Sequence, residues 1–217
     1  VSYIFRVNLG EPEKIQPVSF ATIGINERNN LEAWVVGHPD LLEENLLIIT
    51  TEFDRFESSN KRLDILALDS DGFLVIIELK LDISKTLADL QAIRYAAFCS
   101  TMTMTDVIGE LAKFEEITGE DAETKIRDFL KVDELPELGN RPRIILAAGS
   151  IEDQELTASV LWLRNFGVDI SCVELTPYKL KESIGLVPRT IIPIPEGRGL
   201  PDSSSEESGY CSRKTME

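Results

Sequence analysis

The sequence is poor in residues that build several common kinds of site. Its three cysteines, Cys99, Cys172 and Cys211, stand far apart in 217 residues and form no CxxC pair. That spacing speaks against a zinc site or a disulfide framework, so reduced thiols and a cytoplasmic location are expected. The single histidine, His38, precedes Pro39; it fits a helix-terminal or solvated role better than catalysis, and no Ser-His-Asp chemistry follows. Basic residues are scarce, 22 Lys and Arg against 38 Asp and Glu, for a formal net charge of -16. Such a chain is not an unselective polyanion binder with a basic surface throughout, although a local basic groove is still allowed. No apolar run approaches the roughly 20 residues needed to cross a bilayer. The stretch Val1 to Leu9 carries Arg6 and lacks a long apolar core or small-residue cleavage site, so neither membrane insertion nor secretion is expected. Gly72 and Gly119 are isolated turn glycines, no glycine-rich phosphate loop is present, and no internal repeat is visible.

With 43% hydrophobic and 28% charged residues, the chain has the balance of a globular domain with a substantial core. Asn26 to Val36 reads as a capped amphipathic helix with Leu31, Trp34 and Val35 on one side, stopped by Gly37 and Pro39. Leu46 to Thr51 and Arg62 to Leu68 read as two strands. The turn Asp69-Ser70-Asp71-Gly72 then leads into a third, Phe73 to Lys80, which makes a hairpin with the second. Ser84 can cap a helix from Lys85 to about Ser100, and Thr103 to Lys131 reads as two helices broken at Gly119. From Asp106 to Glu137 there are eleven acids and four bases, so close to half of the net charge lies in this helical insert. A linker from Pro136 to Pro142 precedes a strand from Arg143 to Ala148, a helix near Asp153 to Phe166 and a strand from Val168 to Leu175. Beyond Pro188 the chain becomes rich in Pro, Gly and Ser, which predicts a flexible tail.

The informative residues are charges set in apolar strands: Asp64 in RLDILAL, and Glu78 and Lys80 in LVIIELKL. Alternation puts Glu78 and Lys80 on one side of their strand. If the loop is Ser70, Asp71 and Gly72, with Gly72 left-handed, Asp69 pairs with Phe73 and Asp64 falls opposite Glu78. Ionised groups in such strands cost several kcal/mol unless paired or bound to metal. Two neighbouring carboxylates suit a divalent cation such as Mg²⁺, which takes oxygen ligands and keeps waters. Lys80 would then orient or help deprotonate an attacking water and offset charge on a phosphoryl group. The competing reading is a plain Glu78 to Lys80 ion pair with Asp64 capping or solvated near the turn.

The order Leu63-Asp64, thirteen residues, then Glu78-Leu79-Lys80 resembles the PD-(D/E)XK nuclease superfamily, with Leu63 where the motif has Pro. The resemblance implies Mg²⁺ or Mn²⁺ held by Asp64, Glu78 and the Leu79 carbonyl, with Lys80 assisting the water. Gln91 and Tyr95 resemble the QxxxY motif of RecB-like members, where they would reach back to the site from the following helix. Glu27 resembles the upstream acid that many members add; Glu32 is the competing candidate and reads as a solvated helix residue. Around the site, Lys85 and Arg94 are either phosphate contacts or solvated helix residues, while Arg55, Lys61 and Arg62 add local positive charge. Cys99 reads as a buried structural thiol. The stretch Asn26 to Trp34 with His38 to Leu42 is further similar to a bacterial branch related to NucS-type endonucleases.

The resemblance implies an α/β, restriction-endonuclease-like fold: a mixed central sheet flanked by helices, on an α-β-β-β-α-β core. The expected organisation is one domain over residues 1–190, carrying the insert at about 103–137, followed by a tail over 191–217. The expected activity is metal-dependent hydrolysis of DNA phosphodiesters, as an endonuclease. The alternative is a non-catalytic DNA- or protein-binding module on the same fold, which the acidic charge favours and the intact Asp, Glu and Lys oppose. A homodimer with paired sites, a further C-terminal domain or a protein partner would each be compatible with the resemblance.

Overall fold

The computed structural model describes residues 3–7, 10–53, 62–81, 88–139 and 141–194. The expected Ser84 cap, Lys85, Arg55, Lys61, Cys211 and most of the expected tail lie outside the described residues.

A short antiparallel ribbon, β1 (Ile4–Arg6) and β2 (Glu13–Ile15), comes first. A 3-10 turn, Ala21–Ile23, is followed by a π-helical turn, Glu27–Glu32, that continues into α1 (Ala33–Gly37). Asn26 starts this helix in both directions: its side chain accepts from Arg28 N and Asn29 N, and its own N–H donates to Asn30 Oδ1. Leu31 and Val35 are buried and Trp34 packs partly against the same cluster, as the periodicity predicts.

The centre is a six-stranded mixed sheet, in which strand order follows chain order: β3 (Leu46–Phe53), β4 (Leu63–Asp69), β5 (Leu74–Lys80), β6 (Arg143–Ala148), β7 (Ile170–Leu180) and β8 (Ser183–Ile192). The β5–β6 and β6–β7 pairs are parallel and the other three are antiparallel. The antiparallel pairs close through the chain between neighbours, whereas each parallel pair needs a crossover and receives helices. These are α2 (Ala88–Cys99), α3 (Met104–Glu115) and α4 (Gly119–Leu130) between β5 and β6, and α5 (Gln154–Asn165) between β6 and β7. The helix, three strands, helix and strand that the resemblance implies are present in that order, and the fold is α/β with a mixed sheet flanked by helices.

Alternation in the strands divides the core. Leu66, Leu68, Leu74, Ile76, Ile144 and Leu146 face α2 to α5, while Ile65, Ala67, Val75, Ile77, Ile145 and Ala147 face Leu31, Val35 and Leu42. The insert is part of this core, since Val107, Leu111, Ala122 and Ile126 belong to the first cluster and α3 packs on β3. Its two helices are separated at Glu116, which is left-handed at φ 56°, and Thr118, which caps α4; Gly119 is already helical. Three differences appear near the end. β7 extends to Leu180, five residues past the expected strand. β8 was not expected. The sheet runs to Ile192, beyond the expected boundary at 190.

Candidate functional site

The hairpin positions the expected acids. Asp69 N donates to Phe73 O at 3.0 Å, Gly72 N donates to Asp69 O at 3.1 Å, and Gly72 sits at φ 84°. Only glycine reaches that conformation without a steric penalty. The three-residue loop sets the pairing Leu68↔Leu74 through Ile65↔Ile77, which carries on to place Asp64 across from Glu78.

Four oxygens surround the Lys80 ammonium. Nζ lies 2.7 Å from the Leu79 carbonyl oxygen, 2.8 Å from Glu78 Oε1, and 3.5 Å from both Asp64 Oδ2 and Glu27 Oε1. Asp64 Oδ2 also accepts from Leu79 N at 2.8 Å, and Glu27 Oε2 accepts from Leu81 N at 3.3 Å. Thus the structure brings together Glu27, Asp64, Glu78, Leu79 and Lys80. Glu78 is 1% exposed. It meets Lys80 as an ion pair through Oε1, and Oε2 has no hydrogen-bond donor among the described residues. Burial and the Asp64 charge push its carboxyl up to about 7, against the pull of Lys80. Burial also raises Asp64, although Lys80 and the Leu79 N–H oppose it. For Lys80 burial would favour loss of the proton, but Asp64, Glu78 and Glu27 outweigh it and hold the ammonium.

Gln91 and Tyr95 share one face of α2, and Gln91 Nε2 donates to the Tyr95 hydroxyl at 3.1 Å. Tyr95 is buried in the core beneath the site; burial, then the Glu78 charge, raises its hydroxyl to about 12, so it stays neutral.

Two acids were misjudged or missed in the sequence. Glu32 is half-buried rather than freely solvated, and burial followed by the Asp64 and Glu52 charges raises it to about 7. An α-helix would turn residues five apart away from each other. Here Leu31 N bonds back to Asn26 O, five residues away, and the wider turn brings Glu32 toward the side of Glu27. Glu52 lies across from Asp64 in the β3–β4 ladder, between the pairs Thr51↔Ile65 and Phe53↔Leu63. A bulge between Ile48 and Thr50 shifts the register by one residue; without it Thr51 would face Asp64. Glu52, Asp64 and Glu78 therefore stand abreast on β3, β4 and β5. Glu52 has φ 48°, a left-handed conformation costing about 1–2 kcal/mol for a residue with a side chain. The signal for Glu52 was the acid at the end of an apolar strand, but no local pattern revealed the bulge.

The remaining candidates take structural places. Cys99 is buried, and burial raises its thiol to about 12, far from a reactive thiolate. His38 is exposed beside Asp40 at the end of α1, and Arg94 is exposed on α2. No group of three His, Cys, Asp or Glu among the described residues is arranged to hold a metal by itself. The donor set on offer is two carboxylates and a carbonyl around one cationic position. No described helix is long and apolar enough to cross a membrane.

No family model matches the chain, and none of the curated proteins matches it. Among solved structures, a complex of EndoMS with double-stranded DNA is similar with a TM-score of 0.35 and 17% identity over 68% of this chain. This chain spans 44% of the length of that one.

Proposed function

We propose that the chain is a metal-dependent nuclease that hydrolyses DNA phosphodiester bonds as an endonuclease. The observation that carries the reading is the buried Glu78 carboxylate, one strand from Asp64, where three carboxylates and the Leu79 carbonyl converge on the single Lys80 ammonium. Buried carboxylates that share one ammonium are incompletely neutralised, and a further cation would offset the remaining charge. Asp64, Glu78 and the Leu79 carbonyl would hold Mg²⁺ or Mn²⁺, a hard cation that accepts an all-oxygen set and leaves positions for water and substrate. Such an ion, when bound, supplies Lewis-acid polarisation of the phosphodiester and lowers the pKa of water.

The protein's own groups would do the rest. Lys80, held as an ammonium, donates to the attacking water or to a phosphoryl oxygen and offsets the charge that develops there. Glu27 joins the Lys80 ammonium to the Leu81 N–H and so restrains the lysine after its strand ends. Gln91 holds the Tyr95 hydroxyl, and the buried ring supports β5 from below. In the reaction a water oxygen bonds to phosphorus while the ester bond to the leaving sugar oxygen breaks. The proton lost by water balances the one taken up by the leaving oxygen.

The test is calorimetric titration of Mg²⁺ and Mn²⁺ into wild type and Asp64→Ala, then incubation of both with circular and linear DNA. Metal uptake and cleavage that are both lost in the variant support the reading. Uptake without cleavage of any DNA favours a binding module on a nuclease-like fold, and no uptake by wild type overturns the metal site.

A further inference from the structure

The Glu52 carboxylate is occupied by two guanidinium groups. Arg28 Nη1 lies 3.2 Å from Oε1 and Arg62 Nη1 lies 2.8 Å from Oε2. The two arginines come from separate elements, the first turn of the π-helical segment and the approach to β4. Both are next to site residues in sequence, Arg28 after Glu27 and Arg62 two residues before Asp64. Their side chains remain 65% and 46% exposed. Both arginines approach Glu52 through Nη1, and a guanidinium carries further N–H groups that a ligand can reach where the side chain is exposed. Glu52, neutralised twice over, is a poor metal ligand despite standing abreast of Asp64 and Glu78. Glu32 also faces Glu52 and Arg28, so two acids and two arginines share this rim, and the exposed guanidiniums are its cationic outer groups in a protein whose net charge is -16. Arginine forks match phosphate oxygens in geometry as well as charge.

We propose that Arg28 and Arg62 grip a phosphate of the substrate strand beside the scissile one, and that Glu52 is the positioning residue that sets their spacing. The proposal rests on the nuclease reading. It explains why Glu52 keeps a left-handed backbone inside a strand: that conformation and the bulge before it aim one carboxylate at both arginines. It also gives an acidic protein a defined landing point for a polyanion.

The experiment uses the full chain and a fluorescently labelled DNA duplex. Affinity is measured in EDTA over a series of salt concentrations, and cleavage is measured separately with Mg²⁺. Arg28→Ala and Arg62→Ala should each weaken binding about tenfold and reduce the slope of log affinity against log salt by about 1. Arg28→Lys and Arg62→Lys, which keep the charge, should restore the slope and guard against a folding artefact. Glu52→Gln should keep the salt slope but lower kcat at saturating DNA about tenfold, because the phosphate is still bound but held in the wrong place. Unchanged affinity and slope in both alanine variants, with wild type still cutting, would overturn the grip and leave the nuclease reading intact. Unchanged kcat in Glu52→Gln would overturn the positioning role. A wild type that neither binds nor cuts DNA would overturn the nuclease reading, and the grip with it.

Discussion

Replacing Glu78 by Gln tests the energetic argument for the site independently of any activity. Glu78 is 1% exposed, and its carboxyl moves from an ordinary 4.5 to about 7 in the folded chain. Between those values the folded state holds a proton that the unfolded state has released, so stability falls as pH rises through the window. Carried to its end, this costs the folded protein about 3 kcal/mol above neutral pH relative to pH 4.5. Glutamine keeps the shape and cannot ionise, so Glu78→Gln should be the more stable protein at about pH 8, with the gap closing toward about pH 5. Lys80 retains Asp64 and Glu27 as partners in the variant, so the gain is not consumed by a stranded ammonium. For a domain of this size a gap of about 3 kcal/mol corresponds to about 6–12 °C in Tm. Urea unfolding of both proteins across this pH range reads it directly. Glu32 titrates in the same direction in both, so the difference between the curves reports Glu78 together with its effect on Asp64. Adding Mg²⁺ at about pH 8 should raise the wild-type Tm and leave the variant unmoved, because only the wild type gains a bound ion. A gap independent of pH, or a less stable variant at the alkaline end, would refute the claim that burial and the Asp64 charge outweigh the Lys80 ion pair at Glu78.

Three further substitutions probe the frame around the site. Arg143 ties three segments together, with Nη1 2.8 Å from both Glu44 Oε2 and Asp69 Oδ2, and Nε 3.1 Å from Asp169 Oδ2. Since Asp69 is 4% exposed, Arg143→Ala strands its charge and should cost about 3 kcal/mol in urea unfolding; a loss below about 1 kcal/mol would show that water replaces the guanidinium. Glu116 ends α3 in a left-handed conformation, exposed and at the negative end of the helix. Glu116→Gly should therefore raise stability by about 0.5–1 kcal/mol, and a destabilised variant would contradict the assigned cap. A Cβ on Gly149 would lie 2.5 Å from the Phe20 ring and 2.8 Å from the Leu81 carbonyl oxygen. Gly149→Ala should cost about 2 kcal/mol and disturb the Leu81 to Glu27 contact, and an unchanged Tm would show that this packing is looser than described.

The central hairpin and its chemistry were legible because every step is local. Asp69 to Gly72 dictates a three-residue turn, the turn sets the register, and alternation then decides which side chains share a face, so Asp64, Glu78 and Lys80 follow from about eighteen consecutive residues. The one-turn spacing of Gln91 and Tyr95 is local in the same way. What the chain does not announce are placements that depend on partners far away in sequence. Glu27 meets Lys80 only because the π-helical segment packs its Leu31 face onto the sheet. Glu32 approaches Asp64 only because that segment is wound more widely than the α-helix its pattern predicts. Glu52 stands across from Asp64 because of one bulged residue, which periodicity cannot detect since Ile48, Ile49 and Thr50 fit a strand in either register. Strand β8 escaped notice because its Gly185, Pro188 and Arg189 suit an edge strand as well as a tail, and only its pairing with β7 distinguishes them. The sequence alone determined the local geometry of the acidic hairpin, where a few bonds and steric limits leave one solution. The tertiary structure decided which other charges gather around it, because that depends on long-range packing whose many alternatives no short pattern separates.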